Sequence, residues 1–319
     1  MITYLAKRIG ISLFIVFGVL SLSFALIHMA PGDPSSLYIR PDIDPQTMAS
    51  LRSQMGLDQP IWRQYVLWIQ QVCSGNFGVS FSQQRPVAEI LAEAIPNTLQ
   101  LTVAAFLIQL VLGTLLGVLT AIKHNTKLDF SISSFLLFLY SMPGFWLALM
   151  AVLVFSLKLG WLPSSQMQSL QIADGAWAQL TDRLRHLILP AGVLAAPFVA
   201  HTARFIRGSL SEVLQQDYIR TAYAFGIPAR KVLFKYALKN AVLPLASLFG
   251  FYLPFLLGGA VITEYIFAWP GFGRITVTAI FAHDFPMILA GNFIAALAVV
   301  IGNLISDLVS KAVDPRIRG

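Results

Sequence analysis

Residues Ile9 to Ala30, IGISLFIVFGVLSLSFALIHMA, run almost without a charged or strongly polar side chain. An α-helix needs about 20 such residues to cross the roughly 30 Å apolar core of a bilayer. A cleaved signal peptide has a shorter apolar core, about 7–15 residues, and a small-residue cleavage site. This run is longer, and its end, ALIHMAPG, offers no Ala-x-Ala, so it reads as an uncleaved span behind a basic head of Lys7 and Arg8. Five more apolar runs follow, at 98–122, 130–159, 186–205, 241–266 and 285–309. The pattern predicts an all-α, polytopic membrane protein with six transmembrane helices in one domain over 1–319. Composition agrees: 12% of residues are charged, against about 25% in soluble domains.

Lysine and arginine are retained on the cytoplasmic side of short loops, so their distribution orients the chain. With the amino terminus inside, the cytoplasmic side collects Lys7, Arg8, Lys123, Lys127, Arg204, Arg207, the basic residues of 220–239, and Lys311, Arg316 and Arg318. The outer side holds Arg40, Arg52, Arg63, Arg85, Arg183, Arg185 and Arg274, spread over longer loops. Both termini are therefore expected in the cytoplasm. The net charge of +7 then reflects topology, not nucleic-acid binding.

The expected outer loop 31–97 carries Ile61, Tyr65, Trp68, Ile69 and Val72 at helical spacing. That spacing fits an amphipathic helix on the membrane surface, or equally one packed on the outer ends of the spans. Pro143, Pro197 and Pro254 fall inside expected spans, where each removes a backbone donor and kinks its helix. Gly113 and Gly117 form a GxxxG pair that lets another helix approach closely.

Catalytic signatures are missing. The sequence has no GxxxxGK[ST] phosphate loop, no HExxH, no GxSxG and no clustered metal ligands; its single cysteine, Cys73, has no partner. His28, His201, Glu264 and Asp307 are the ionisable residues near span ends. Glu264, among glycines and aromatics in GGAVITEYIFAWPGFG, is the best candidate for an outer gate or path. No enzymatic activity, cofactor or metal is expected of this chain.

The expected cytoplasmic loop 206–240 is different in kind. Wound as a helix, Tyr218 to Ile227 places Ala222 and Gly226 at i and i+4, a face without bulk that suits close docking. Pro228 stops that helix. A second, from about Ala229 to Asn240, carries Lys231, Lys235 and Lys239 as a stripe, suited first to anionic lipid headgroups.

RTAYAFG followed by LKNAVLP resembles the cytoplasmic EAA loop of permease subunits in binding-protein-dependent ABC importers. Arg220 and Thr221 stand where the loop's usual Glu and first Ala would be, as in the peptide and nickel branch. HMAPGDP, MGLDQPIWRQY, FGVSFSQQRPV, SMPGFWLA, FAWPGFGR, HDFPMI and DPRIRG are similar to the same branch. The resemblance covers nearly the whole chain. It implies the type I importer permease fold in a bacterial inner membrane, and ATPase coupling through Arg220, Thr221, Ala222, Gly226 and Ile227. Implied partners are a second permease, two cytoplasmic ATPase subunits, an external binding protein and the bilayer. Implied substrates are di- or oligopeptides, nickel, or a chelated metal. A secondary transporter driven by an ion gradient is the alternative, but it calls for midplane carboxylates and internal repeats that the sequence lacks.

Overall fold

The computed structural model describes residues 2–29, 58–171, 175–242 and 260–313. Its helices include α1 (Ile2–Met29), α2 (Ile61–Cys73), α3 (Val87–Ile122), α4 (Lys127–Ser141), α5 (Gly144–Ala151), α6 (Ala176–Leu214), α7 (Asp217–Ala224), α8 (Ala229–Lys231), α9 (Phe272–Phe281) and α10 (Phe285–Val313). α5 and α8 run directly into π-helical stretches, Val152–Lys158 and Val232–Ala237. The fold is all-α and polytopic. α1, α3, α6 and α10 each contain a stretch long and apolar enough to cross a bilayer, and α4 with α5 make a fifth if taken as one bent span. Most of the expected span 241–266, including Pro254, and residues 31–57 of the expected outer loop lie outside the described residues.

Two helices are much longer than their apolar runs. α3 begins at Val87 rather than near residue 98, and α6 covers Ala176–Leu214 rather than 186–205. At 1.5 Å per residue each is more than about 50 Å long, beyond the hydrocarbon core. Hydropathy marks only the lipid-soluble portion of a helix, so the turns before residue 98 in α3 and at both ends of α6 fall outside the expected spans.

The expected span 130–159 is not one helix but two, bent by 108°. α4 ends at Ser141, Met142 and Pro143 are extended, with ψ near 135 and 133, and α5 restarts at Gly144 with Pro143 as its N-cap. Proline has no N–H to give the preceding turn, and it drives the residue before it out of the helical region. A kink was expected at Pro143; a full break is what the backbone shows.

Contacts divide the described chain into two compact units, Met1–Pro96 with Arg274–Val300, and Asn97–Gly273 with Ile301–Gly319. In the first, α2 lies against α1. Tyr65 reaches Ser21 (2.6 Å between hydroxyl oxygens), Trp68 stacks on Phe24, and Gln64 meets His28. The reading of α2 as a helix packed on a span holds for this face, while Ile61, Trp62 and Val66 on its other side are exposed.

In the second unit, α3 crosses α6 at the GxxxG pair. A Cβ at Gly113 would stand 2.7 Å from the Thr202 Cβ, and one at Gly117 would stand 2.7 Å from the Ala203 carbonyl oxygen. Gln109, one turn before Gly113, donates to the Thr202 hydroxyl at 3.2 Å. Between helices in lipid there is little hydrophobic drive, so close van der Waals contact at small residues holds the pair. Gly117→Val must therefore separate the two backbones, which costs on the order of 1–3 kcal/mol. The expected result is a lower unfolding temperature in detergent and less full-length protein in the membrane; an unchanged melting curve would remove this crossing from the scaffold.

Candidate functional site

The 217–242 segment is built on its own chain. Ile219 and Ala222 of α7 are buried among Leu210 of α6, Val232, Ala237, Ala241 and Ala121. Asn240 ties the end of this segment to the Tyr218 hydroxyl at 3.0 Å, and Ser209 of α6 donates to the Ala241 carbonyl at 3.0 Å. α7 is thus fastened to the helices before and after it, and a load on α7 would pass to both.

The end of α7 corrects the expected helix over Tyr218–Ile227. The helix closes at Ala224, and Gly226 has φ +73. The Ile227 N–H donates to the Ala222 carbonyl at 3.2 Å and the Gly226 N–H to Tyr223 at 2.9 Å. This is the Schellman closure, with its usual left-handed glycine and its apolar contact between the flanking residues, here Ile227 and Ala222. Gly226 therefore lies past the helix end, and Ala222 faces its own chain rather than outward. Of the five expected coupling residues, Arg220, Thr221 and Gly226 are exposed, Ala222 is buried and Ile227 is half-buried.

The exposed tip is aromatic. Phe225, the C-cap, is 82% exposed, and Tyr218 and Tyr223 are also exposed. Sequence reasoning passed over Phe225. No local signal marked it: on a continued helix Phe225 would lie only about 60° from the buried Ala222.

Arg207 was read only as a topogenic charge, and Asp129 was not singled out. The two form a two-pronged ion pair: Arg207 Nε donates to Asp129 Oδ1 at 2.9 Å and Nη2 to Oδ2 at 2.8 Å. Asp129 is buried in the first turn of α4 and also accepts from Ser133 and from the Asn125 N–H. It couples α6, seven residues before α6 ends, to the first arm of the broken span.

Glu264 is fully buried in a helical run at 260–266. Its carboxylate accepts from Thr98 of α3 at 2.5 Å, while the Thr98 oxygen accepts the Phe272 N–H at 2.7 Å. The FAWPGFG turn wraps this acid so tightly that a Cβ at Gly271 or Gly273 would overlap the carboxylate. Trp269 donates its indole N–H to the Asn97 carbonyl at 2.9 Å, and Asn97 donates back to Pro270 at 2.8 Å. Expected as a gate or path residue, Glu264 stands here as the anchor of a turn. Of the other three candidates, His28 stacks on Phe24, His201 is on the exposed side of α6, and Asp307 is half-buried on α10.

A second caged acid lies in the other unit. Asp284 closes α9, its N–H donating to Ala279 at 2.9 Å, and begins α10, where Oδ1 faces the Met287 N–H at 3.4 Å. Its Oδ2 accepts from the Ser80 hydroxyl at 2.5 Å, the Ser82 hydroxyl at 2.7 Å and the Ser82 N–H at 3.0 Å. Two motifs that carried the resemblance, FGVSFSQQRPV and HDFPMI, are therefore the two halves of one contact.

Residues 113–319 match the family described as binding-protein-dependent transport system inner membrane component, and residues 1–102 match its N-terminal counterpart. The chain is 38% identical over 318 residues to the oligopeptide transport system permease protein AppB of Bacillus subtilis, covering 99% of each chain. It is 36% identical to the di/tripeptide transport system permease protein DppB of Pseudomonas aeruginosa, over 100% of this chain and 99% of that one. Against the glutathione transport system permease protein GsiC of Escherichia coli it is 35% identical, with the same coverage.

The Asp284 cage gives an acid-sensitive readout. Burial raises the pKa of this carboxyl, but the hydrogen bonds from Ser80 and Ser82 outweigh that and hold it below its ordinary value. A lowered folded pKa means that the stabilisation is complete above the unfolded value of about 3.9 and is lost as pH falls through the folded one. Hydrogen exchange of residues 77–87 should stay slow and flat from neutral pH to about 4, once corrected for intrinsic rates, and accelerate only below. Asp284→Asn should show the fast exchange at every pH; equal protection in the two proteins would rule out the cage.

Proposed function

The chain belongs to the family of binding-protein-dependent transport system inner membrane components, and from that premise we propose that it is one of two paired permease subunits in an ATP-driven importer of short peptides. The observation that carries this reading is end-to-end similarity, at 35–38% identity, to permeases described for oligopeptides, di/tripeptides and glutathione. Nickel, equally open from the sequence, has no such support. In this reading the chain crosses the inner membrane six times, both termini are cytoplasmic, and ATP is hydrolysed by two partner subunits.

The coupling surface is the exposed tip of α7: Arg220, Thr221, Tyr223, Phe225 and Gly226. Its support is geometric, an aromatic tip on a helix fastened through Ile219 and Ala222 to both neighbouring segments. Closure of the ATPases loads this tip; α6 carries the load, and the Arg207–Asp129 pair passes it to α4. Bistable packing of this sort turns a small local shift into rotation of whole helices, which opens the path to one side or the other.

Uptake of a labelled dipeptide and of nickel by cells carrying the complete importer tests the substrate. Dipeptide uptake is expected, and nickel uptake alone would overturn the peptide assignment. At Gly226, bulk must be separated from backbone strain, since any L-residue with φ +73 is strained. Asn tolerates that conformation best. Gly226→Asn should retain most of the uptake, whereas Gly226→Trp should abolish it with the protein still in the membrane. Equal uptake by both variants would take the α7 tip out of the mechanism.

Asp129→Asn leaves Arg207 half-satisfied, a loss of about 2–3 kcal/mol for a charge-assisted contact. ATP hydrolysis by the importer should persist while uptake falls several-fold. If hydrolysis and uptake fell in the same proportion, the pair would be structural only.

A further inference from the structure

Beside the α7 tip lies a second exposed surface that the coupling mechanism does not use. The helix continuing from α8 presents Arg230, Lys231, Phe234, Lys235 and Lys239 outward, while Val232 and Ala237 face the core. Pro228, Arg230, Lys231, Phe234 and Lys235 line a groove of about 530 Å³. Between Tyr218 and Val242 there is no acidic residue, so the cations have no counter-charge within their own segment. Phe234 is 54% exposed in their midst.

We infer that this groove binds the headgroup of an anionic phospholipid from the cytoplasmic leaflet. Charge complementarity supplies the first argument: three cations converge in a segment, Tyr218 to Val242, that carries no acid. The second is position. Lys235 precedes Ala241, where the expected fifth apolar run starts, by six helical residues, or roughly 9 Å. The headgroup layer on each face of a bilayer is about 5–8 Å thick, so a lysine side chain at that height reaches the phosphates. The third is chemical. An exposed phenyl ring among cations suits a ligand that joins a phosphate to an acyl chain, and a soluble anion has no use for it. The π-helical stretch Val232–Ala237 carries both Phe234 and Lys235, and such stretches are frequent at functional sites.

The consequence reaches beyond anchoring. The groove shares a helix with Val232 and Ala237, which pack against Ile219 and Ala222 of α7. A bound lipid would brace the segment against which α7 is loaded. The inference rests on the proposed cytoplasmic placement of 206–240.

Each cation near an anionic surface contributes roughly five-fold in affinity. Arg230→Gln with Lys231→Gln and Lys235→Gln should therefore weaken binding on the order of 100-fold. The full-length chain, purified with its bound partners in neutral detergent, is titrated with dioleoyl-phosphatidylglycerol or dioleoyl-phosphatidylcholine, and retained lipid is counted by native mass spectrometry. Expected are a preference for phosphatidylglycerol, its loss in the triple variant, and its retention in the control Lys123→Gln with Lys127→Gln, which removes two charges elsewhere. Lys235→Glu alone should weaken binding more than Lys235→Gln, a comparison that needs only one altered position. ATPase subunits should co-purify equally with all variants.

Three results would overturn the inference. One is equal retention of the two lipids. Another is displacement of phosphatidylglycerol by soluble glycerol phosphate, which would mean a free-anion site. The third is loss of the ATPase subunits from the triple variant with lipid retention intact, which would assign these cations to a protein partner. Lipid counting needs no transport, so its failure is distinguishable from failure of the uptake assays.

Discussion

A polar group buried in protein has no water to fall back on, and several helix ends of this chain are organised around that constraint. Three buried carboxylates sit at such ends. Asp129 is in the first turn of α4, Glu264 at the close of the helical run at 260–266, and Asp284 between α9 and α10. Each is answered by donors from a distant part of the chain: Arg207 for Asp129, Thr98 for Glu264, Ser80 and Ser82 for Asp284. A buried charge left without its partners costs several kcal/mol, so each cage fixes a long-range register that apolar surfaces alone would leave free to slide.

The glycines complete this arrangement for different physical reasons. Gly113 and Gly117 are small because the backbone of α6 passes where a side chain would be. Gly271 is small because the Glu264 carboxylate occupies that space, and Gly273 because the Val261 backbone and that carboxylate both do. Gly226 meets no crowding at all; its positive φ is what the closure of α7 demands. The same residue type thus marks a helix crossing, an anion cradle and a chain reversal, and only the neighbours distinguish them.

This division explains how much of the site could be read in advance. The 217–242 segment was visible because its charges interrupt an apolar chain, and Pro228 marked its break. The orientation of α7 was not visible. Ala222 looked like an open docking surface, yet it is small because Leu210, Val232 and Ala237 crowd it. Nothing local marked Phe225, which is 82% exposed at the tip. Asp129 and Arg207 lie 78 residues apart, and no local pattern joins them.

Sequence alone determined what depends on local composition and on likeness: an all-α membrane chain, a basic segment set between apolar runs, an importer permease of the peptide and nickel branch. Bilayer solubility is a sum over consecutive residues, so it can be read one window at a time. Tertiary structure decided the full break at Pro143, the serine cage of Asp284 and the anchoring role of Glu264. It also decided which side of α7 faces away from the chain. Those depend on which distant donors arrive at a buried acid and which face is already filled, and a linear reading carries neither.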